Sequence, residues 1–304
     1  MNMHPDEIAV SADVVRELID AQFPQWRNLP VRRISSTGTV NAIFRVGDEL
    51  AARFPLRRAE PGEVLATLQR EALAAAALAK RSRTPTPRPV AIGAPGSGYP
   101  LPWSVQTWLP GTVATEADPG ESVAFAEDLA DFIADLRHVD AHGARFAGTG
   151  RGGDLRSHDE WIQACFRRSE GLLDVPRLRE LWRELRDLPR VAPDVMSHGD
   201  LIPGNVLVAD GRLAGILDGG GFGPADPALD LVAGWHLLGD GPRAALRERL
   251  GSDDLEWARG RAWAFEQSMG AVWYYAESNP TMSLMGRRTL ERILGDSGRR
   301  VSTT

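Results

Sequence analysis

The rhythm of apolar and polar positions changes once along the chain, near residue 110. Before that point a helix is predicted over Ser11–Asp20, with Ser11 as its N-cap. Short apolar runs follow at Arg33–Ser36, Ala42–Val46 and Leu50–Phe54, the last two joined by the turn Gly47–Asp48. They predict an antiparallel meander. Glu63–Lys80, rich in Ala, Leu and Glu, predicts a helix. The prolines of Thr84–Pro89 end it, because proline neither continues a helix nor donates a backbone hydrogen bond. One more strand is expected over Trp103–Leu109, and Pro110–Gly111 behind it is the best single boundary. Beyond it, helices are predicted over Glu121–Val139, Ser157–Leu173, Arg177–Leu188, Asp226–Leu238, Asp254–Glu277 and Ser283–Leu294. A single loop-and-hairpin region, Val195–Phe222, interrupts them. The expected fold class is therefore α+β, without the βαβ alternation of a parallel sheet. A small antiparallel N-terminal lobe spans 1–109 with a hinge near 106–111, and a larger, mostly helical lobe spans 110–304.

Composition narrows the partners. The 304 residues carry 35 basic and 41 acidic side chains, a formal charge of −6. That argues against nucleic acid, whose phosphates are bound by basic surfaces, and permits a cationic small molecule. No apolar run approaches the ~20 residues needed to cross a bilayer, and the polar, acidic start is unlike a signal peptide. The expectation is a cytoplasmic protein with no membrane partner. Cys165 is the only cysteine, so neither an intramolecular disulfide nor a cysteine-cluster metal site can form. In its helical-looking surroundings it reads as a small core residue. Lys80 is the only lysine, leaving 34 arginines, which constrains any mechanism needing a buried lysine.

Chemistry concentrates in Met196–Val208, which reads M-S-H-G-D-L-I-P-G-N-V-L-V. Asp200 and Asn205 stand five apart across a Pro203–Gly204 turn that leads into an apolar strand. A second strand, ending Ile216-Leu217-Asp218, returns another carboxylate. Carboxylate and amide oxygens so arranged suit a hard divalent cation such as Mg²⁺, with phosphate oxygens completing its shell.

His198-Gly-Asp-Leu-Ile-Pro-Gly-Asn205 resembles the catalytic loop of the aminoglycoside phosphotransferase family, relatives of the protein kinases, whose H-R-D-x-x-x-x-N has the same spacing. Ile216–Asp218 is similar to the family's second metal-binding segment. Asp226-Pro227 with Asp230 is similar to its following D-P-x-x-D-L. The resemblance implies a bilobal protein-kinase-like fold and an ATP-dependent O-phosphotransferase, GTP not being excluded, that acts on a small-molecule hydroxyl. An aminoglycoside or other antibiotic is one acceptor class, an amino sugar or amino alcohol another. It implies Asp200 as the catalytic carboxylate and Asn205 and Asp218 as Mg²⁺ ligands. His198 is expected to order the loop, Asp226 to cap a helix with Pro227 in its first turn, and Asp230 to anchor the loop in preference to binding substrate. The chain departs from the family at Ile202, where relatives often have a second histidine. It departs again at Gly219, in place of an aromatic, within a run of three glycines expected to loosen the loop around Asp218.

Kinases carry a lysine on the third strand, whereas Lys80 lies at the far end of a helix and reads as solvated. Arg53, in Leu50-Ala-Ala-Arg-Phe-Pro55, is the expected phosphate-contacting cation, and Glu71 its helix partner, with Glu63 as the weaker choice. Ser35–Asn41 is the expected phosphate-covering hairpin, with donors around Thr37 and Gly38. Gln106 to Leu109 is the expected hinge, whose backbone reads the adenine edge. Acceptor specificity is expected near Asp154–Trp161 and Trp257–Tyr275, where Asp159, Glu160, Glu266 and Glu277 could meet amines or form a solvated face. The aromatics of that second stretch read more readily as core than as a platform. A competing function is a nucleotide-binding pseudokinase; loss of the lysine favours it, and retention of Asp200, Asn205 and Asp218 opposes it.

Overall fold

The structure is a computed structural model that describes residues 8–34, 40–148 and 150–300, with side chains as far as 296. Its described residues fall into two compact units. One takes in the chain up to Lys80, Pro85–Pro110 and Gly215–Gly221; the other takes in Arg81–Thr84, Gly111–Ala214 and the chain from Phe222 onward. A single cut at 109/110 therefore does not describe the division, because the segment carrying Asp218 returns to the first unit.

In the first unit, Ser11 accepts a hydrogen bond from the Val14 amide at 3.3 Å and starts α1 (Ala12–Gln22). Strands β1 (Val31–Ile34), β2 (Asn41–Val46) and β3 (Leu50–Pro55) form the expected meander. Helix α2 (Pro61–Arg81) follows, then β4 (Pro89–Gly93) and β5 (Trp103–Thr107). The sheet order is β1-β2-β3-β5-β4. Sequence patterning missed β4 because it opens on a proline, yet it lies at the sheet edge with Pro89 as its first residue, where a missing donor is tolerated. Alternation along β3 buries Ala52 and Phe54 on one face. There Phe54 stacks on Trp103 (centroids 4.8 Å, 15° between planes) and meets Phe44 and Tyr99 edge-on. Trp103 lies so close to Gly93 that a Cβ there would stand 2.2 Å from its ring, so residue 93 must be glycine. The face bearing Arg53, Ser104 and Gln106 is the opposite one, and it is covered by α2.

The second unit is mostly helical. It begins with β6 (Thr112–Val113), α3 (Val123–Arg137), α4 (Asp159–Arg168) and α5 (Val175–Leu185). Strands β7 (Val195–Ser197), β8 (Val206–Ala209), β9 (Arg212–Ile216) and β10 (Gly223–Ala225) come next. Helices α6 (Val232–Leu237), α7 (Asp240–Leu250), α8 (Asp254–Tyr274) and α9 (Pro280–Arg300) complete it. The predicted hairpin region is two small sheets: β10 pairs with β7, and the order β6-β8-β9 forms the other. The β8–β9 turn is Asp210-Gly211, both at positive φ (51° and 70°), as a two-residue hairpin requires.

The helix expected from Asp226 begins later. Residues 226–228 form a turn, Leu229–Leu231 a 3-10 turn, and α6 only then follows. Asp226 Oδ1 accepts from the Ala228 amide at 3.1 Å, so it caps this turn and not an α-helix. Its other oxygen takes Nε of Arg259 and Nε1 of Trp263, each at 2.9 Å, in a buried ion pair. Helix α7 was not among the predicted helices; Pro242 sits in its first turn, where its ring is accommodated. Helix α8 is buried on nearly every side, which makes it the axis of the unit. Trp263 and Phe265 are core residues on it. Cys165 is also fully buried, and burial pushes its thiol up to about 11, so it is a packing residue. Among the described residues no helix is long and apolar enough to cross a membrane.

Candidate active site

The catalytic-loop candidates lie in the second unit. β7 delivers the chain to His198, Gly199 turns it at φ 85°, and Asp200 follows. Only glycine adopts that backbone freely, which accounts for glycine at position 199. The loop is pinned from below by Asp230, 3% exposed, whose Oδ2 accepts from the His198 amide at 2.8 Å and Oδ1 from the Gly199 amide at 2.9 Å. With both oxygens committed to backbone, Asp230 anchors the loop. His198 is fully buried and its Nδ1 accepts from the Asp200 amide at 3.3 Å, a loop-ordering contact. Pro203–Asn205 then makes one 3-10 turn into β8.

Asp200 is half-exposed and gathers three side-chain donors. Gln267 Nε2 reaches its Oδ1 at 2.9 Å, and Arg151 Nη2 reaches the same oxygen at 3.0 Å. Asn205 Nδ2 reaches Oδ2 at 3.0 Å and the Asp200 carbonyl at 2.9 Å. The Asn205 amide nitrogen thus faces Asp200, which leaves its oxygen for another partner. Gln267 and Arg151 were missed in the sequence because no motif marks them. Gln267 sits inside the aromatic-rich α8, and Arg151 on a loop whose Gly152 carbonyl accepts from the Asp226 amide at 2.9 Å.

The acids expected to meet amines are largely occupied. Glu266 is buried and faces His158 Nδ1 at 3.0 Å and Arg151 Nη1 at 3.9 Å. Asp159 accepts from Trp182 Nε1 at 3.0 Å and pairs with Arg186 at 2.6 Å. Glu160 and Glu277 are exposed.

The nucleotide-side candidates lie in the first unit. A cavity of about 250 Å³ opens between the sheet and α2, its polar lining made by Arg53, Glu71, Ser104 and Gln106. Arg53 Nη2 is 2.9 Å from Asp218 Oδ1, and Nη1 is 3.5 Å from Gln106 Oε1. The expected Arg53–Glu71 pair is therefore not the one formed: the carboxylate on Arg53 is that of Asp218, and Glu71 stands beside both. Burial raises the Glu71 carboxyl above its usual range; Arg53 counteracts this and Asp218 adds to it. Gln106 is not hinge backbone. It lies in the ladder opposite Ala51 of β3 and Pro89 of β4, and offers its side chain to the cavity. Leu109 follows β5 in irregular chain and is half-buried. Thr37 and Gly38 lie outside the described residues, and Lys80 is exposed at the end of α2.

Asp218 itself adopts φ 59°, and the glycines after it do the reverse of loosening the loop. A Cβ at Gly219 would stand 2.5 Å from Leu78 Cδ2, and one at Gly220 would stand 2.9 Å from Glu71 Cβ. Gly219 and Gly220 are glycine because the turn packs directly on α2. An aromatic after Asp218 would have no room.

A family model described as phosphotransferase enzyme family, APH, matches residues 31–263. The chain belongs to this phosphotransferase family. Among curated relatives of this APH chain, an aminoglycoside 3'-phosphotransferase of Salmonella typhimurium is 29% identical over 153 residues, 45% of this chain and 53% of the relative. The chain thus spans about half the length of the curated relatives it matches. Among solved structures, the GDP complex of wild-type aminoglycoside 2'-phosphotransferase-IIIa superposes with a TM-score of 0.69 at 19% identity, covering 94% of this chain and 100% of that one. A macrolide 2'-phosphotransferase from Brachybacterium faecium gives 0.61 at 20%, covering 92% and 97%. At these identities the likeness is one of fold, the kinase-like α+β architecture that the APH motifs implied.

Proposed function

We propose that this APH-family chain transfers the γ-phosphoryl group of a nucleoside triphosphate, ATP or GTP, to a hydroxyl of a small molecule. The observation that carries the reading is Asp200. It is an accessible carboxylate at the tip of a loop pinned by Asp230, oriented by Gln267, Arg151 and Asn205. A base for an acceptor hydroxyl needs this combination of access and fixed direction. In this reading Asp200 takes the hydroxyl proton as the acceptor oxygen meets phosphorus, and Arg53 contacts the nucleotide phosphates from the cavity floor.

The residues present fit a magnesium ion in donor chemistry. Asn205 has an amide oxygen not used on Asp200, and Asp218 has a carboxylate, both hard oxygen donors. Asn205 and Asp218 would hold the ion, which when bound neutralises phosphate charge. Asp218 would exchange at least part of its contact with Arg53 for it.

Two acceptor classes enter from relatives, aminoglycosides and macrolides. Of the four acids expected to meet amines, Asp159 and Glu266 are paired with cations of the chain itself, and Glu160 and Glu277 are exposed. The experiment is a nucleotide-consumption assay with Mg²⁺, ATP or GTP, and a panel of aminoglycosides, macrolides, amino sugars and amino alcohols. Acceptor-dependent turnover that disappears in Asp200→Asn supports the reading. Nucleotide binding without turnover on any acceptor would favour the pseudokinase, which the replacement of lysine by Arg53 also recommends.

A further inference from the structure

A buried chain of polar side chains runs from Asp200 to α9, and the phosphotransfer reading leaves it unexplained. Gln267 Nε2 donates to Asp200 Oδ1 at 2.9 Å; at its other end Gln267 Oε1 lies 3.1 Å from His236 Nε2, and His236 Nδ1 lies 3.0 Å from Thr289 Oγ1. His236 is 5% exposed and Thr289 is fully buried. His236, Gln267 and Thr289 come from three helices, α6, α8 and α9.

A glutamine amide has two unlike ends. Its NH₂ attracts a carboxylate, whereas its oxygen repels one, so the end that faces Asp200 matters to the geometry of the base. Nothing in the amide itself chooses, because both ends have the same shape. The neighbour that chooses is His236. Burial, helped by the positive charges of Arg151 and Arg292, pushes its imidazole down to about 4, although the Gln267 contact opposes this. A neutral ring carries a single N–H. Two arrangements of the chain are then open. With the proton on Nε2, His236 donates to Gln267 Oε1, and the Gln267 NH₂ points at Asp200. Thr289 then donates its hydroxyl proton to Nδ1. With the proton on Nδ1, Thr289 turns its own proton to the Met285 carbonyl, 2.9 Å away, and Nε2 is bare. The Gln267 NH₂ would have to turn to that nitrogen, which places amide oxygen against carboxylate oxygen at 2.9 Å with no proton between them. Such a contact sets two acceptor oxygens against each other and leaves the amide oxygen without a donor in a partly buried place. The first arrangement is the one compatible with an ionised Asp200.

We propose that His236 and Gln267 are positioning residues: His236, as its Nε2–H tautomer, locks the Gln267 amide so that Asp200 Oδ1 is held and Oδ2 is left to take the acceptor's proton. Oδ1 is occupied by Gln267 and Arg151, whereas among the described residues Oδ2 has the Asn205 donor alone, so the second oxygen keeps a lone pair for the hydroxyl. The inference rests on the assignment of Asp200 as base, and deepens it by naming the reacting oxygen and what aims it. Arg151 contributes charge on the other side, itself steadied by Glu266 and, through Glu266, His158.

The test uses the full chain and two readouts. In the first, ¹⁵N-histidine NMR of the six histidines, with His236→Phe to assign the signal, reports the tautomer without any acceptor. A protonated Nε2 and bare Nδ1 between pH 6 and 8 is expected; the Nδ1–H form overturns the proposal. In the second, turnover with Mg²⁺ and ATP or GTP is measured with kanamycin as probe. Where kanamycin is not an acceptor, hydrolysis of the nucleotide by water is followed. Gln267→Leu should lower kcat about tenfold, the effect of one hydrogen bond to a charged group, with nucleotide Kd unchanged. Gln267→Glu should fall further, because it turns a like charge on Asp200. A purely structural role makes the reverse prediction, since Glu keeps the shape and the bond from His236. His236→Phe should match Gln267→Leu, and the double variant should be no worse than either, because both remove one unit. Should His236→Phe fail to fold, the order of the Leu and Glu variants and the NMR decide. Unchanged kcat in Gln267→Leu beside a dead Asp200→Asn defeats the positioning alone; full turnover by Asp200→Asn defeats the base on which it rests.

Discussion

Replacing Asp230 by Asn tests the claim that the catalytic loop is held by a single buried carboxylate. Asp230 is 3% exposed and accepts two backbone amides, from His198 at 2.8 Å and Gly199 at 2.9 Å, one to each oxygen. Hydrogen bonds to a charged group contribute about 1.5–3 kcal/mol each. Asparagine keeps the shape but only one acceptor, so one amide keeps a weaker bond and the other meets an NH₂. The expected cost is about 2–4 kcal/mol, one charge-assisted bond lost and one buried donor left unsatisfied. Asp230→Ala should exceed this, since both amides lose their partner. Because the chain has two compact units, a single global transition is the wrong readout. Amide hydrogen exchange at His198 and Gly199 is the better one: each should exchange at least about tenfold faster in Asp230→Asn. Turnover should fall as well, since Gly199 directly precedes Asp200. Exchange at both amides unchanged within a factor of two would refute the anchor, whatever happened to activity.

Three further outcomes are expected. Arg53→Ala should weaken nucleotide binding about tenfold or more, the scale of a lost charge-assisted contact to phosphate; Arg53→Lys should recover part of it, and calorimetry showing no change in either variant would remove Arg53 from the site. Arg259→Met strands the buried Asp226 carboxylate and should cost about 3–5 kcal/mol in urea unfolding of the second unit, with the Asp226→Asn/Arg259→Met pair costing less than the sum; additive losses would mean the two are not coupled. Stability should also depend on pH through His236, whose imidazole is pushed down to about 4 from an ordinary value of 6.5. The unfolded chain binds the proton more readily, so this stability is present above about pH 6.5 and lost as pH falls toward 4. It amounts to on the order of 3 kcal/mol. His236→Phe should flatten that part of the profile, and parallel profiles for the two proteins would show that His236 does not titrate differently on folding.

Much of the site was legible because its motifs are local. His198, Asp200 and Asn205 lie within eight residues, and Asp218 and Asp230 follow within twenty-five, so spacing marked the loop and the resemblance to the family's D-P-x-x-D-L pointed to its anchor. Arg53 was legible as an arginine in an apolar strand. Its partner was not, since Glu71 and Asp218 are 18 and 165 residues from it in the chain, and only the packing of the 216–221 turn on α2 decided between them. Gln106 was placed in a hinge because the expected hinge, 106–111, was drawn over the end of the expected strand; pairing with β3 and β4 shows that its backbone belongs to the ladder. Strand β4 was lost because the prolines up to Pro89 were read as the end of a helix. A proline read as a stop is compatible with a sheet edge and with the first turn of a helix, and the sequence does not say which neighbour is present.

By itself, then, the sequence determined the change from strands to helices near residue 110, the order of most elements and the family-bearing residues of one loop. These are properties of short windows, where period, turn chemistry and motif spacing act over a few residues. The tertiary structure alone decided what surrounds Asp200. Gln267, Arg151 and His236 come from segments scattered over 117 residues of sequence and carry no signature, because their roles arise from where helices α6 and α8 and the loop before α4 meet. It also decided that two glycines, Gly219 and Gly220, let a turn pack tightly on α2. A residue without a side chain has no preference of its own, and whether it frees the backbone or lets it approach another helix depends on what lies 3 Å away.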